Sequence, residues 1–80
     1  MFQNYIIEIK KFHNGDFEHN VNWVWDETAD KAMLKAEAKF HEVLAAAALS
    51  ETASHAAILF TSEGFPVKHE CYKHESPTEE

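Results

Sequence analysis

Between Thr28 and Leu49 the chain contains neither glycine nor proline. Alanine, leucine, lysine, glutamate and methionine dominate this run, and all are strong helix formers. An uninterrupted stretch of 22 residues predicts one helix, roughly 33 Å long at 1.5 Å per residue. Ala29, Met33, Ala36, Phe40, Leu44 and Ala47 recur at spacings of three and four, and Val43 and Ala48 widen that stripe. Lys31, Lys35, Lys39 and Glu42 form a wet face. Asp26 is the expected N-cap, because its carboxylate suits the unpaired amides of a first turn.

On both sides of this run the period falls to two. Tyr5, Ile7 and Ile9 alternate with Asn4, Ile6, Glu8 and Lys10, which predicts a strand over about 3–13. Asn14-Gly15-Asp16 tolerates positive φ and predicts a hairpin turn. A second strand follows over about 17–25, with His19, Val21, Trp23 and Trp25 on one side. Beyond the helix, Ser50 to Ser54 reads as a connection. Ala56 to Thr61 is apolar both ways: Ile58 and Phe60 on one side, Ala57 and Leu59 on the other. This predicts a central strand buried on two faces. Ser62-Glu63-Gly64 turns the chain, and Val67 to Lys73 forms the last strand.

The expected architecture is therefore α+β, ββαββ, with a four-stranded antiparallel or mixed sheet and one long helix on one face. Residues 1–74 form a single domain, and 75–80 are expected to be a flexible acidic tail. Valine, isoleucine, leucine and phenylalanine supply 18 of the 80 residues, enough for one small core.

One helix can dry only one sheet face. Strand three is apolar on both faces, and strand one sets Ile6 against Ile7 and Ile9. The second face needs a cover, and two-fold homodimers are the commonest assembly. The expected partner is thus a second copy, with a host protein as a further candidate. Interface candidates are Ile6, Val21, Trp23, Trp25, Phe40, Leu44, Ala45, Ala48, Ile58 and Phe60. The four alanines from Ala45 to Ala48 have two readings: a helix pressed onto its own sheet, or a meeting point with another subunit. Trp23 and Trp25 likewise read either as core beneath the helix or as a binding platform.

Charge narrows the partner class. Seven lysines and no arginine stand against 14 acidic residues, for a net charge of −7. Without arginine there is no rigid fork for phosphate, and an acidic chain does not attract a polyanion over distance. Nucleic acid is disfavoured as a partner. No apolar run approaches the ~20 residues that span a bilayer, so no membrane role is expected. One cysteine, Cys71, excludes an internal disulfide. A lone thiol and an N-terminus without a basic lead favour the cytoplasm.

Chemistry-bearing residues are present but lack motif spacing. Six histidines occur, without an HExxH or CxxC pattern, so no metal or other cofactor is assigned. His69 and Cys71 are two apart on one strand face, and His41 lies one helical turn from Glu37. A metal- or cysteine-dependent small enzyme using His41, His69 or Cys71 is the alternative to an interaction protein, as is a nucleic-acid-associated regulator. No catalytic residue is assigned.

Three stretches carry a resemblance: Asn4 to Lys11, Lys35 to Ala48, and Ser54 to Phe60 running into Glu63-Gly64-Phe65-Pro66. Together they resemble small uncharacterised proteins of bacteriophages and of Firmicutes prophages. The resemblance covers nearly all of the chain except the tail. It implies a phage or prophage setting and transfers no activity. His41, His55 and the Gly64-Phe65-Pro66 turn match without a family role.

Overall fold

The computed structural model describes residues 2–75. Its elements are β1 (Phe2–Lys11), β2 (Phe17–Asp26), α1 (Ala29–Ala48), β3 (Ser54–Thr61) and β4 (Pro66–Lys73). The strands form one antiparallel sheet in the order β2-β1-β3-β4, and α1 packs on one face. The fold is thus α+β and ββαββ, with the sheet antiparallel throughout. Apart from Glu75, which is exposed, the expected tail lies outside the described residues.

Local chemistry sets the boundaries. The β1–β2 register closes at Lys11 opposite Phe17, two residues earlier than the pattern predicts. Phe12 is spent in the turn: its amide donates to Asp16 O at 2.8 Å, and its carbonyl accepts from the Gly15 amide at 2.9 Å. Gly15 takes a φ of 99°, open to glycine at no steric cost. The helix is capped by Thr28, not Asp26. Thr28 is extended and its hydroxyl accepts from the Lys31 amide at 3.2 Å. Asp26 remains in β2 opposite Phe2, so its backbone is committed to the sheet.

The strand after the helix begins two residues earlier than expected. The Ala53 amide donates to Lys11 O at 2.7 Å, and Ser54 and His55 pair with Lys11 and Lys10. Between β3 and β4 the register slips: Leu59 pairs with Lys68, but Phe60 pairs with Pro66. Val67 is the extra residue of a bulge, a position that tolerates the missing N–H of the adjacent proline.

The core lies between α1 and the even side of β1. Ile6, Ala57 and Leu59 meet Ala36, Phe40 and Val43, with Val24, Met33 and Leu44 packed around them. The buried helix face is Ala32, Ala36, Phe40, Val43 and Ala47. This face is rotated from the expected stripe: Ala32 replaces Ala29, and Met33 and Leu44 move to its borders. Alanines at 32, 36 and 47 let the helix backbone sit close to the sheet, and Phe40 fills the middle. Among the described residues, four of the eight buried apolar ones are alanine, so this core is small.

Candidate functional site, an uncovered aromatic sheet face

Alternation puts the odd positions of β1 on the side away from α1. Pairing then assembles that face in rows. The broadest is Trp23–Tyr5–Phe60–Pro66, followed by Val21–Ile7–Ile58–His69 and His19–Ile9–Ala56–Cys71. Phe17–Lys11–Ser54–Lys73 ends the face at one side, and Trp25 with Gln3 ends it at the other. Tyr5 organises the aromatic band. Its ring stacks on Phe60 at 5.0 Å and 9°, and meets Trp23 at 4.8 Å and 44°. At the opposite end Lys11 Nζ lies 5.6 Å from the Phe17 ring centre.

Nothing in the described chain covers these rows. Trp23 and Trp25 are 58% and 54% exposed, and Val21, Phe17 and Val67 are exposed as well. The tryptophans are therefore not core beneath the helix, because β2 presents its even side to α1. Ile58 and Phe60 are half-buried. Strand three is central, but the two-sided burial that its composition predicts is not found: its outward positions stay half-exposed. Over β3 and β4 the face dips into an open depression of about 430 Å³, bounded by Ala56, Ile58, Phe60, Pro66, His69, Glu70 and Cys71.

The charge on this face differs from that of the chain. None of its strand positions is acidic. Its charged groups are Lys11 and Lys73, with His19 and His69 as titratable neighbours. Glu8, Glu18 and Asp26 take the helix-side register, and Glu70, on the same register of the edge strand β4, also borders the depression.

The interface candidates divide accordingly. Val21, Trp23, Trp25, Ile58 and Phe60 share the uncovered face. Ile6 and Phe40 do not reach any surface: at 0% and 3% exposure they are consumed by the chain's own core. Leu44 borders that core. In the alanine run only Ala47 is buried; Ala45, Ala46 and Ala48 are exposed on α1, so the run as a whole is not pressed onto the sheet.

The candidate chemistry does not converge. His69 and Cys71 share the uncovered face, whereas His41 is exposed on α1, edge-on to Phe40 at 5.8 Å. Glu37 turns from His41 to Lys68, whose Nζ is 3.6 Å away. Among the described residues no group of three or more His, Cys, Asp or Glu side chains is placed to hold a metal ion.

Two polar features lie on the helix side. Asp26 accepts from Lys35 at 2.9 Å and from the Glu27 amide at 2.6 Å. The Lys35 contact first, and the amide second, hold its carboxyl below the usual carboxylate range. His55 is 2% exposed, and its Nε2 lies 2.5 Å from Glu8 Oε2. Its Nδ1 has no partner among the described residues. Sequence reasoning missed this pair. The available signal was a glutamate on the inward row of one apolar strand and a histidine leading into another, and only the β1–β3 register joins them.

No helix among the described residues is long and apolar enough to cross a membrane. Compared with protein-family models, curated proteins and solved structures, the chain matches none.

Proposed function

We propose that the chain is a small interaction protein that works as a homodimer through its uncovered sheet face. The observation that carries this reading is a mostly apolar four-stranded face with no acid at its outward register positions, on a chain of net charge −7. Contiguous apolar patches beyond a few hundred Å² are rare on monomers and mark contact surfaces. Four strands spaced about 4.8 Å apart and nine residues long give a footprint of about 570 Å² before side-chain relief. That is on the scale of the ~800 Å² that each partner buries in a standard interface. A second copy meets no acid at the outward register positions, and Glu70 alone borders the face, at the β4 depression, so little of the charge that repels two chains elsewhere stands at the contact. The phage or prophage setting rests on the sequence resemblance, and an accessory role toward a host protein follows from that setting. Cytoplasmic residence rests on the lone thiol.

Sedimentation equilibrium at micromolar concentration tests the reading. The expected mass is twice the 9.2 kDa of the chain. A single 9.2 kDa species overturns it.

One observation favours a second reading, a single-stranded nucleic-acid platform. Stacked Tyr5, Phe60 and Trp23 with Lys11 and Lys73 supply rings and cations on one face. It ranks lower because the middle rows are aliphatic and the whole chain is acidic. Salt-dependent binding of a labelled oligonucleotide by the protein would raise it.

A further inference from the structure

The proposed dimer leaves open how the second copy sits, and the distribution of side chains on the uncovered face answers that. The face tapers. Its bulk is concentrated in Trp23, Tyr5, Phe60 and Pro66, and two rows away stand His19, Ile9, Ala56 and Cys71. Phe17 and both lysines lie beyond that second row. A two-fold axis between two facing sheets has two simple directions. Along the strands, it lays aromatic band on aromatic band and the Lys11–Lys73 row on its own copy. That arrangement sets large side chains on large ones in the aromatic band and small on small two rows away, overpacking the first and leaving a gap in the second. Across the strands, the same rotation reverses the rows.

Resting on the homodimer reading above, we infer that the second copy sits with its two-fold axis across the strands, along the Val21–Ile7–Ile58–His69 row. Each strand then faces its own copy. Tyr5 packs over Ile9 of the partner subunit, and Phe60 over Ala56 of the partner subunit, so large side chains fill the space that small ones leave. The end rows also exchange places: Phe17 faces Trp25 of the partner subunit, and Lys11 faces Gln3 of the partner subunit. The middle row meets itself. Val21, Ile7 and Ile58 form a dry aliphatic centre, and the His69 rings approach each other at the β4 edge.

Single cysteines placed on the face read the axis directly, because a disulfide bridges two packed sheets when the facing positions coincide. Val21 is exposed in the lone chain, so Val21→Cys in a Cys71→Ser background leaves folding intact. The expected result is that this variant, oxidised at micromolar concentration, runs as a covalent dimer on a non-reducing gel. An equimolar mixture of Val21→Cys and His69→Cys chains, each also Cys71→Ser, should give no mixed link, because β2 and β4 lie at opposite edges. Mixed links without Val21 self-links would place the axis along the strands and overturn the inference while leaving the dimer standing. A dimer by sedimentation that forms neither link also overturns the inference alone. A 9.2 kDa species in sedimentation removes the dimer and the arrangement together.

Discussion

Ile58→Glu probes the contact surface most directly. Ile58 is half-buried by its own neighbours, facing Ile7 on β1 and His69 on β4. A second copy removes the rest of its surface from water, which stabilises the contact by about 1 kcal/mol. A carboxylate carried into the same dry position costs at least about 2 kcal/mol after relaxation. Symmetry doubles both effects, for about 6 kcal/mol per dimer. At ~1.4 kcal/mol per tenfold, the dissociation constant rises by roughly four decades. Sedimentation equilibrium over a dilution series measures this, and far-UV circular dichroism checks that the fold persists, since a half-exposed site tolerates the change in the lone chain. Ala45→Glu is the matched control. It adds the same charge on the exposed side of α1 and leaves the mass at any concentration unchanged. If Ile58→Glu stays as tightly dimeric as the parent, the face is not the contact. If Ala45→Glu dissociates the dimer instead, the alanine run is.

Phe40→Ala removes the one aromatic ring of the described core and costs about 3–5 kcal/mol, most of the stability available to an 80-residue chain; an unfolding free energy in urea lowered by less than about 1 kcal/mol would show the ring is not central to packing. Asp26→Asn tests the helix–sheet ion pair: because folding lowers the Asp26 pKa, its contribution is present above the ordinary value of 3.8 and fades as pH falls through the folded value. The parent should therefore exceed the variant in urea at neutral pH, with the gap closing in acid, and a gap of constant size would refute the assignment. Gly64→Ala forces a φ of 85° on a residue with a Cβ, at a cost of about 1–2 kcal/mol. The added carbon meets Tyr5 Oη at an ordinary 3.5 Å, so the loss is backbone strain alone. A melting temperature lower by roughly 5–15 °C is expected.

Much of the fold was legible because each element carries its own local signal. Alternation marked the strands, and the Gly- and Pro-free run marked the helix. Gly15 and Gly64, both at positive φ, fell at the two hairpin turns. What escaped were competitions decided by neighbours. Asp26 and Thr28 are both competent caps, and β2 pairing removed Asp26 from the contest. Ser54 and His55 carry no strand signal, and Lys11 O drew them into the sheet through the Ala53 amide. The Glu8–His55 pair is separated by 47 residues, so no spacing in the chain announces it.

The face of the sheet that the helix covers is the clearest division. Sequence alone established that strand three is apolar on both faces and that strand one sets Ile6 against Ile7 and Ile9, because side-chain period is a local property. It did not establish which face α1 takes. Judged by hydrophobicity, Tyr5, Ile7 and Ile9 make a better floor than Asn4, Ile6, Glu8 and Lys10, yet the helix lies on the second set. β2 and β3 run parallel with β1 between them, so α1 is a crossover, and the handedness of such connections follows from chain chirality. Tertiary topology thus chose the side. Small residues at Ala36 and Ala57 then allowed close packing there, and the more aromatic face was left facing outward.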